Sequence, residues 1–217
     1  PPVVVEDFRG GSSVFKLQAA CPFHAFAEIR LGARPLKAAS IGLQPTTRGK
    51  LVHKVLELVW GQIDSLDALN SMDDKQLHHQ VEQCAGLVLN KEAKNYPYTF
   101  TARFRDLEEA RLIQLVLDWL KIEKERAPFN VKGREQEFNV TVGGVNVRLI
   151  IDRIDELSDG SYILVDYKTG KVSPGTWFGE RPEEPQLPLY ATVVGNNVVG
   201  DNVVGDNVVG NNIGGVS

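Results

Sequence analysis

ILVDYKTGK, residues 163–171, is the stretch on which the reading turns. Ile163, Leu164 and Val165 read as a strand entering a core, yet they run straight into Asp166, Tyr167 and Lys168. On an extended strand Asp166 and Lys168 point to one face, two rises of ~3.3 Å apart. Burying an unpaired charge costs several kcal/mol. An acid and a base at the end of an apolar strand therefore form either a simple ion pair or part of a reactive site.

The residues upstream alternate in the strand manner. EQEFNVTV (135–142), a Gly143-Gly144 turn, VNVRLIIDRIDEL (145–157), an SDG turn and SYILVDYK (161–168) predict a three-stranded antiparallel meander. The second turn sets the register. A two-residue Asp159-Gly160 turn places Asp152 opposite Tyr167, and Asp155 then shares a face with Asp166. A three-residue loop, Ser158-Asp159-Gly160, with the glycine in the left-handed conformation, pairs Asp152 with Asp166. Alternation leaves both open. In the second case two carboxylates meet beside a lysine and repel each other. A divalent cation relieves that repulsion, and oxygen ligands suit Mg²⁺ or Mn²⁺.

Ahead of the meander the period is helical. SVFKLQAACPFHAFAEIRLGA (13–33) predicts a helix with Val14, Leu17, Ala20 and Cys21 on one face, kinked or restarted at Pro22. After a loop over 35–45, Thr46 or Thr47 is expected to cap a helix through RGKLVHKVLELVWGQI, with Val52, Val55, Leu56, Val59 and Trp60 as its apolar stripe. Further helices are expected over 73–94, 105–126 and around EEPQLPLYATVV (183–194). Residues 1–13 read as a linker, 14–192 as the main domain and 193–217 as a flexible tail. That tail repeats VVGNN and VVGDN at a five-residue period, too short for a helical repeat, and is assigned no function. Proline in place of an initiator Met at position 1 predicts a fragment or a processed piece.

Composition bounds the function. The 217 residues suffice for a sizeable core, and no apolar run reaches the ~18 residues of a membrane span. Cys21 and Cys84, far apart, predict a reducing compartment, hence a cytoplasmic protein without a disulfide framework. A net charge of −4 argues against a generally basic nucleic-acid coat and leaves room for a local basic cleft.

In order along the chain, CPFHAFAEIRLGARPL, RGKLVHKVLE, REQEF followed by VGGV, IDRIDELSDG, VDYKTGK and QLPLYA resemble the PD-(D/E)XK nuclease superfamily, specifically the RecB/AddB-type exonuclease domain of bacterial DNA repair proteins. The resemblance covers residues 12–191. It implies an α/β (α+β) restriction-endonuclease-like core: a small mixed or antiparallel sheet flanked by helices, with a helical N-terminal part. It selects Asp152 over Asp155 and Glu135 over Glu137. It implies that His53, Glu135, Asp152, Asp166 and the backbone carbonyl of Tyr167 hold Mg²⁺ or Mn²⁺, and that Glu135, Asp152, Asp166 and Lys168 are catalytic. Lys168 would orient the attacking water or stabilise the transition state.

The resemblance makes Gln186 and Tyr190 a Gln-xxx-Tyr pair, i and i+4 on one helix face. They are expected to hold the DNA backbone or to position Lys168. Lys171, Trp177 and Arg181, between the catalytic strand and that helix, are expected to border the DNA channel. The expected partners are DNA and a helicase-like remainder of the chain or a helicase subunit; no membrane is involved. Leu149 stands where many relatives have glycine, a change of packing rather than chemistry. Relatives with an Fe–S cluster add three late cysteines to an early one. None follows here, so no Fe–S cluster is expected and Cys21 is read as a core thiol. His24, His78 and His79 are read as solvated or locally bonded. A metal-dependent DNA nuclease, an exonuclease by its resemblance, is the function expected. The alternative is a catalytically silent DNA-binding or scaffolding module of the same fold. A sequence-specific restriction-type enzyme would need a recognition insert that is not seen.

Overall fold

The computed structural model describes residues 11, 13–34, 36, 42–142, 145–170 and 184–194. Its centre is the meander: β1 (Phe129–Val142), β2 (Val145–Leu157) and β3 (Tyr162–Val165), antiparallel in the order β1-β2-β3. β2 meets β3 as Arg153↔Val165, Ile154↔Leu164, Asp155↔Ile163 and Glu156↔Tyr162. The Leu157 N–H donates to the Ser161 carbonyl, and Gly160 takes φ +81° in the loop between them. The connection is thus the three-residue loop. Its register brings Asp152 opposite Asp166 and sends Asp155 to the other face.

Helices cover both faces, as expected. On one face lie α3 (Pro45–Trp60), α4 (Leu66–Ser71), α5 (Asp74–Ala93) and α6 (Ala102–Glu123). Val52, Val55, Leu56, Val59 and Trp60 of α3 are all buried, and the core they share takes in Phe129, Ile163, Val165 and Tyr167 from the sheet. Trp119 of α6 is also core. α3 starts earlier than expected. Pro45 is its first residue and Gln44 its cap residue, so Thr46 and Thr47 lie inside the first turn. Proline suits that place because its fixed φ is helical and its missing N–H would have no partner there. α5 opens on a capping box between Asp73 and Gln76. The short α4, capped by Ser65, was not foreseen.

The other face holds Val147, Leu149, Ile151, Ile154 and Leu164, closed by Tyr190 of α7 (Gln186–Val194), with Phe15 of α1 (Ser13–Ala20) packed against them. Leu149 is fully buried there. Pro22 restarts the chain as α2 (Pro22–Ala25), which runs into a π-helical turn over Phe26–Arg30. This segment is mostly exposed, Cys21 included. The expectation of a buried Cys21 is therefore corrected: the restart at Pro22 leaves the thiol at an exposed junction between two helices. Cys84 is the buried one. α7 absorbs Val193 and Val194, so the first repeat begins within a helix; the rest of the tail lies outside the described residues. Among the described residues no helix is long and apolar enough to cross a membrane.

Candidate active site

The middle of β1, the middle of β2 and the residue just past β3 each deliver one acid. Asp152 lies on β2, and its Oδ2 accepts from the backbone N–H of Tyr167 at 2.7 Å, which ties the β3 exit to β2. Glu135 lies on β1 between the pairs Arg134↔Arg153 and Gln136↔Ile151. It takes φ +44°, among the described residues the one non-glycine residue with positive φ. A left-handed residue inside a strand costs of order 1–3 kcal/mol and re-aims its side chain. His53 comes from α3. Its Nδ1 lies 3.3 Å from Asp152 Oδ1, and its ring stands edge-on to Tyr167 at 5.8 Å between centroids. One ligand atom each from His53, Glu135 and Asp152 lie within 4.8 Å of one another.

Asp166 sits beside this group and is 2% exposed. Its Oδ1 accepts from Gln186 Nε2 at 3.0 Å, and Lys168 Nζ lies 2.8 Å from its Oδ2. Lys168 also donates to Gln186 Oε1 at 3.0 Å, and Gln186 Nε2 is 2.7 Å from the Tyr190 hydroxyl. Gln186 is therefore a bracket between Asp166 and Lys168. Tyr190 is buried against the sheet. The Gln-xxx-Tyr pair thus reaches Lys168 through Gln186. Lys171, Trp177 and Arg181 lie outside the described residues.

The electrostatics explain why a cation suits the place. Burial raises the Asp166 carboxyl; Lys168 opposes this and Asp152 adds to it. Burial also raises Glu135, with Lys54 opposing and Asp152 adding. Burial would lower the His53 imidazole, but the hydrogen bond and charge of Asp152, then the charge of Asp166, outweigh it and raise it. The acids thus resist ionising together. An octahedral cation with bonds of ~2.1 Å spaces its ligands about 3–4 Å apart, so small side-chain rotations would close the group onto one. The donor set of one imidazole and carboxylates fits a divalent metal. Glu137, the rival of Glu135, is exposed and paired with Arg148 at 2.5 Å.

Beneath the site, on the face covered by α3 to α6, lies a charged cluster that the sequence did not announce. Arg153 is 1% exposed. It bonds Glu123 at 2.9 Å, Asp155 at 2.9 Å and the Tyr167 hydroxyl at 3.0 Å, and it stacks on Trp60 with its guanidinium carbon 4.2 Å from the ring centroid. Arg126 joins from the end of α6, 2.6 Å from Glu123 and 3.0 Å from Asp155. Two arginines balance two acids. The signal was present: Glu108 and Glu123 fall in phase with Leu112, Val116, Trp119 and Leu120 on the buried stripe of α6. His24 and His79 are bonded locally, to Glu28 and to Gln83.

One subunit of an ATP-dependent helicase/deoxyribonuclease from Streptococcus mutans serotype c is 28% identical over 154 residues, which are 67% of this chain and 12% of that protein. The chain thus spans about an eighth of that relative's length. A family model of the PD-(D/E)XK nuclease superfamily matches residues 12–209, nearly the whole chain, and the chain belongs to that superfamily.

Proposed function

We propose that this chain is the deoxyribonuclease domain of a DNA repair or recombination protein, requires Mg²⁺ or Mn²⁺, and acts as an exonuclease. The observation that carries this is the convergence of His53, Glu135 and Asp152, with Asp166 and Lys168 alongside. His53, Glu135, Asp152, Asp166 and the Tyr167 carbonyl hold the cation. A cation bound there supplies Lewis acidity at the phosphoryl oxygens and lowers the pKa of water. In the reaction water adds to phosphorus, the opposite P–O ester bond breaks, and the leaving oxygen takes up a proton.

Lys168 places its ammonium where negative charge develops on the phosphoryl group. Gln186 keeps it there, and Tyr190 keeps Gln186. Lys171, Trp177 and Arg181 border the DNA path. The domain works in the cytoplasm with a helicase-like partner or a helicase-like remainder of its own chain. The test is incubation of linear and circular DNA, single- and double-stranded, with Mg²⁺, Mn²⁺ or EDTA at low salt. Metal-dependent loss of linear DNA is expected, with circles spared. No cleavage by folded, metal-bound protein would move the reading to the silent DNA-binding module.

A second expectation concerns Gly49, buried in α3. A Cβ at this position would lie 2.9 Å from Thr169 Oγ1, next to Lys168. In an isolated helix Gly→Ala gains about 1 kcal/mol. Here Gly49→Ala is expected to displace the 168–170 segment instead. Cleavage should fall ~10-fold or more while the circular dichroism spectrum stays native. Adding Thr169→Ala, which removes the clashing oxygen, should restore part of the rate.

A further inference from the structure

Lys54 follows His53 on α3. Its ammonium lies 2.6 Å from Glu57 Oε2 and 3.8 Å from Glu135 Oε2, and its side chain is 54% exposed. Lys168 is engaged on the other flank by Asp166 and Gln186. The acids are therefore bracketed by two ammonium groups, and that of Lys54 stands at the solvent edge. One turn earlier Lys50 is exposed and has no ion-pair partner among the described residues. Like charges at i and i+4 on a helix repel, and an exposed i,i+3 pair such as Lys54–Glu57 adds little to stability. The arrangement adds little to stability, and its exposed ammonium is open to an anion arriving from solvent. Once a cation takes up the charge of Glu135, Lys54 keeps only Glu57, which holds its stem along the helix and leaves donors of the ammonium open.

We propose that Lys54, with Lys50 one turn before it, forms a phosphate track on α3 that binds DNA backbone phosphates next to the scissile one. This rests on the nuclease reading above. Phosphate contacts of this kind add affinity without sequence preference.

The experiment measures kcat and KM on linear DNA at several salt concentrations for wild type, Lys54→Gln, Lys50→Gln, the double variant and Lys54→Arg. Lys121→Gln, on the exposed side of α6, is the charge-loss control. Each track variant is expected to raise KM severalfold with kcat changed less than about twofold. Lys54→Gln and Lys50→Gln should each also flatten the slope of log(kcat/KM) against log salt by about 0.7–0.9 beyond the control, the signature of one lost phosphate contact, and the double variant by about twice that. Lys54→Arg should restore the slope. If wild type cleaves and the Lys54→Gln and Lys50→Gln slopes match that of Lys121→Gln, the track is wrong and the nuclease reading stands. If wild type neither cleaves nor binds DNA with any divalent metal, both fail.

Discussion

Lys168→Ala is expected to lower kcat by ~10²–10³, the usual cost of removing one donor aimed at developing charge, while metal binding is kept. The ammonium lies 2.8 Å from Asp166 and 3.0 Å from Gln186, in a place shaped for a compact point charge. Lys168→Arg should therefore rescue little, because a planar guanidinium cannot satisfy both partners from that position. Asp166→Ala should lose metal affinity as well as rate. Single-turnover cleavage at saturating metal, beside calorimetric titration of Mn²⁺, separates the two effects. A Lys168→Ala protein that cleaves at the wild-type rate would remove Lys168 from the mechanism.

Arg153→Met should destabilise the fold by about 3–5 kcal/mol, because it strands a buried acid. Glu123 and Asp155 would be left with Arg126 alone, both at or below 1% exposure. The same principle makes a contrasting expectation for Arg153→Met combined with Glu123→Leu and Asp155→Val. Removing the partners together leaves no stranded charge, and most of the loss should return. Urea unfolding of the single and triple variants measures both. A loss under about 1 kcal/mol for Arg153→Met would mean that water reaches the cluster.

Much of the fold was legible because local rules sufficed. The meander followed from alternation, and the stripe of α3 from its period. The site acids were harder. Residues 145–168 allowed two registers, and only the three-residue loop puts Asp152 across from Asp166. The start of α3 was misread because two threonines looked like caps while Pro45 was already helical. The Arg153 cluster was missed for a different reason. Its acids and arginines come from the end of α6 and from β2, far apart in the chain, so their pairing exists only after packing. The inward turn of Tyr190 is likewise a product of α7 closing on the sheet. Side chains whose partners are distant in sequence are the ones local reasoning mislays.

The Ser158-Asp159-Gly160 loop is exposed, and space is open around the position a Gly160 Cβ would take. Asp159 Oδ1 accepts from the Ser161 N–H at 2.9 Å and from its hydroxyl at 2.6 Å, and Gly160 takes φ +81°. This tip alone decides whether β2 presents Asp152 or Asp155 to Asp166, since a slip of one residue turns every side chain to the opposite face. The length of the tip therefore matters more than its exposure suggests. One codon inserted or deleted there would swap the metal face for the arginine face without altering a single residue of the site.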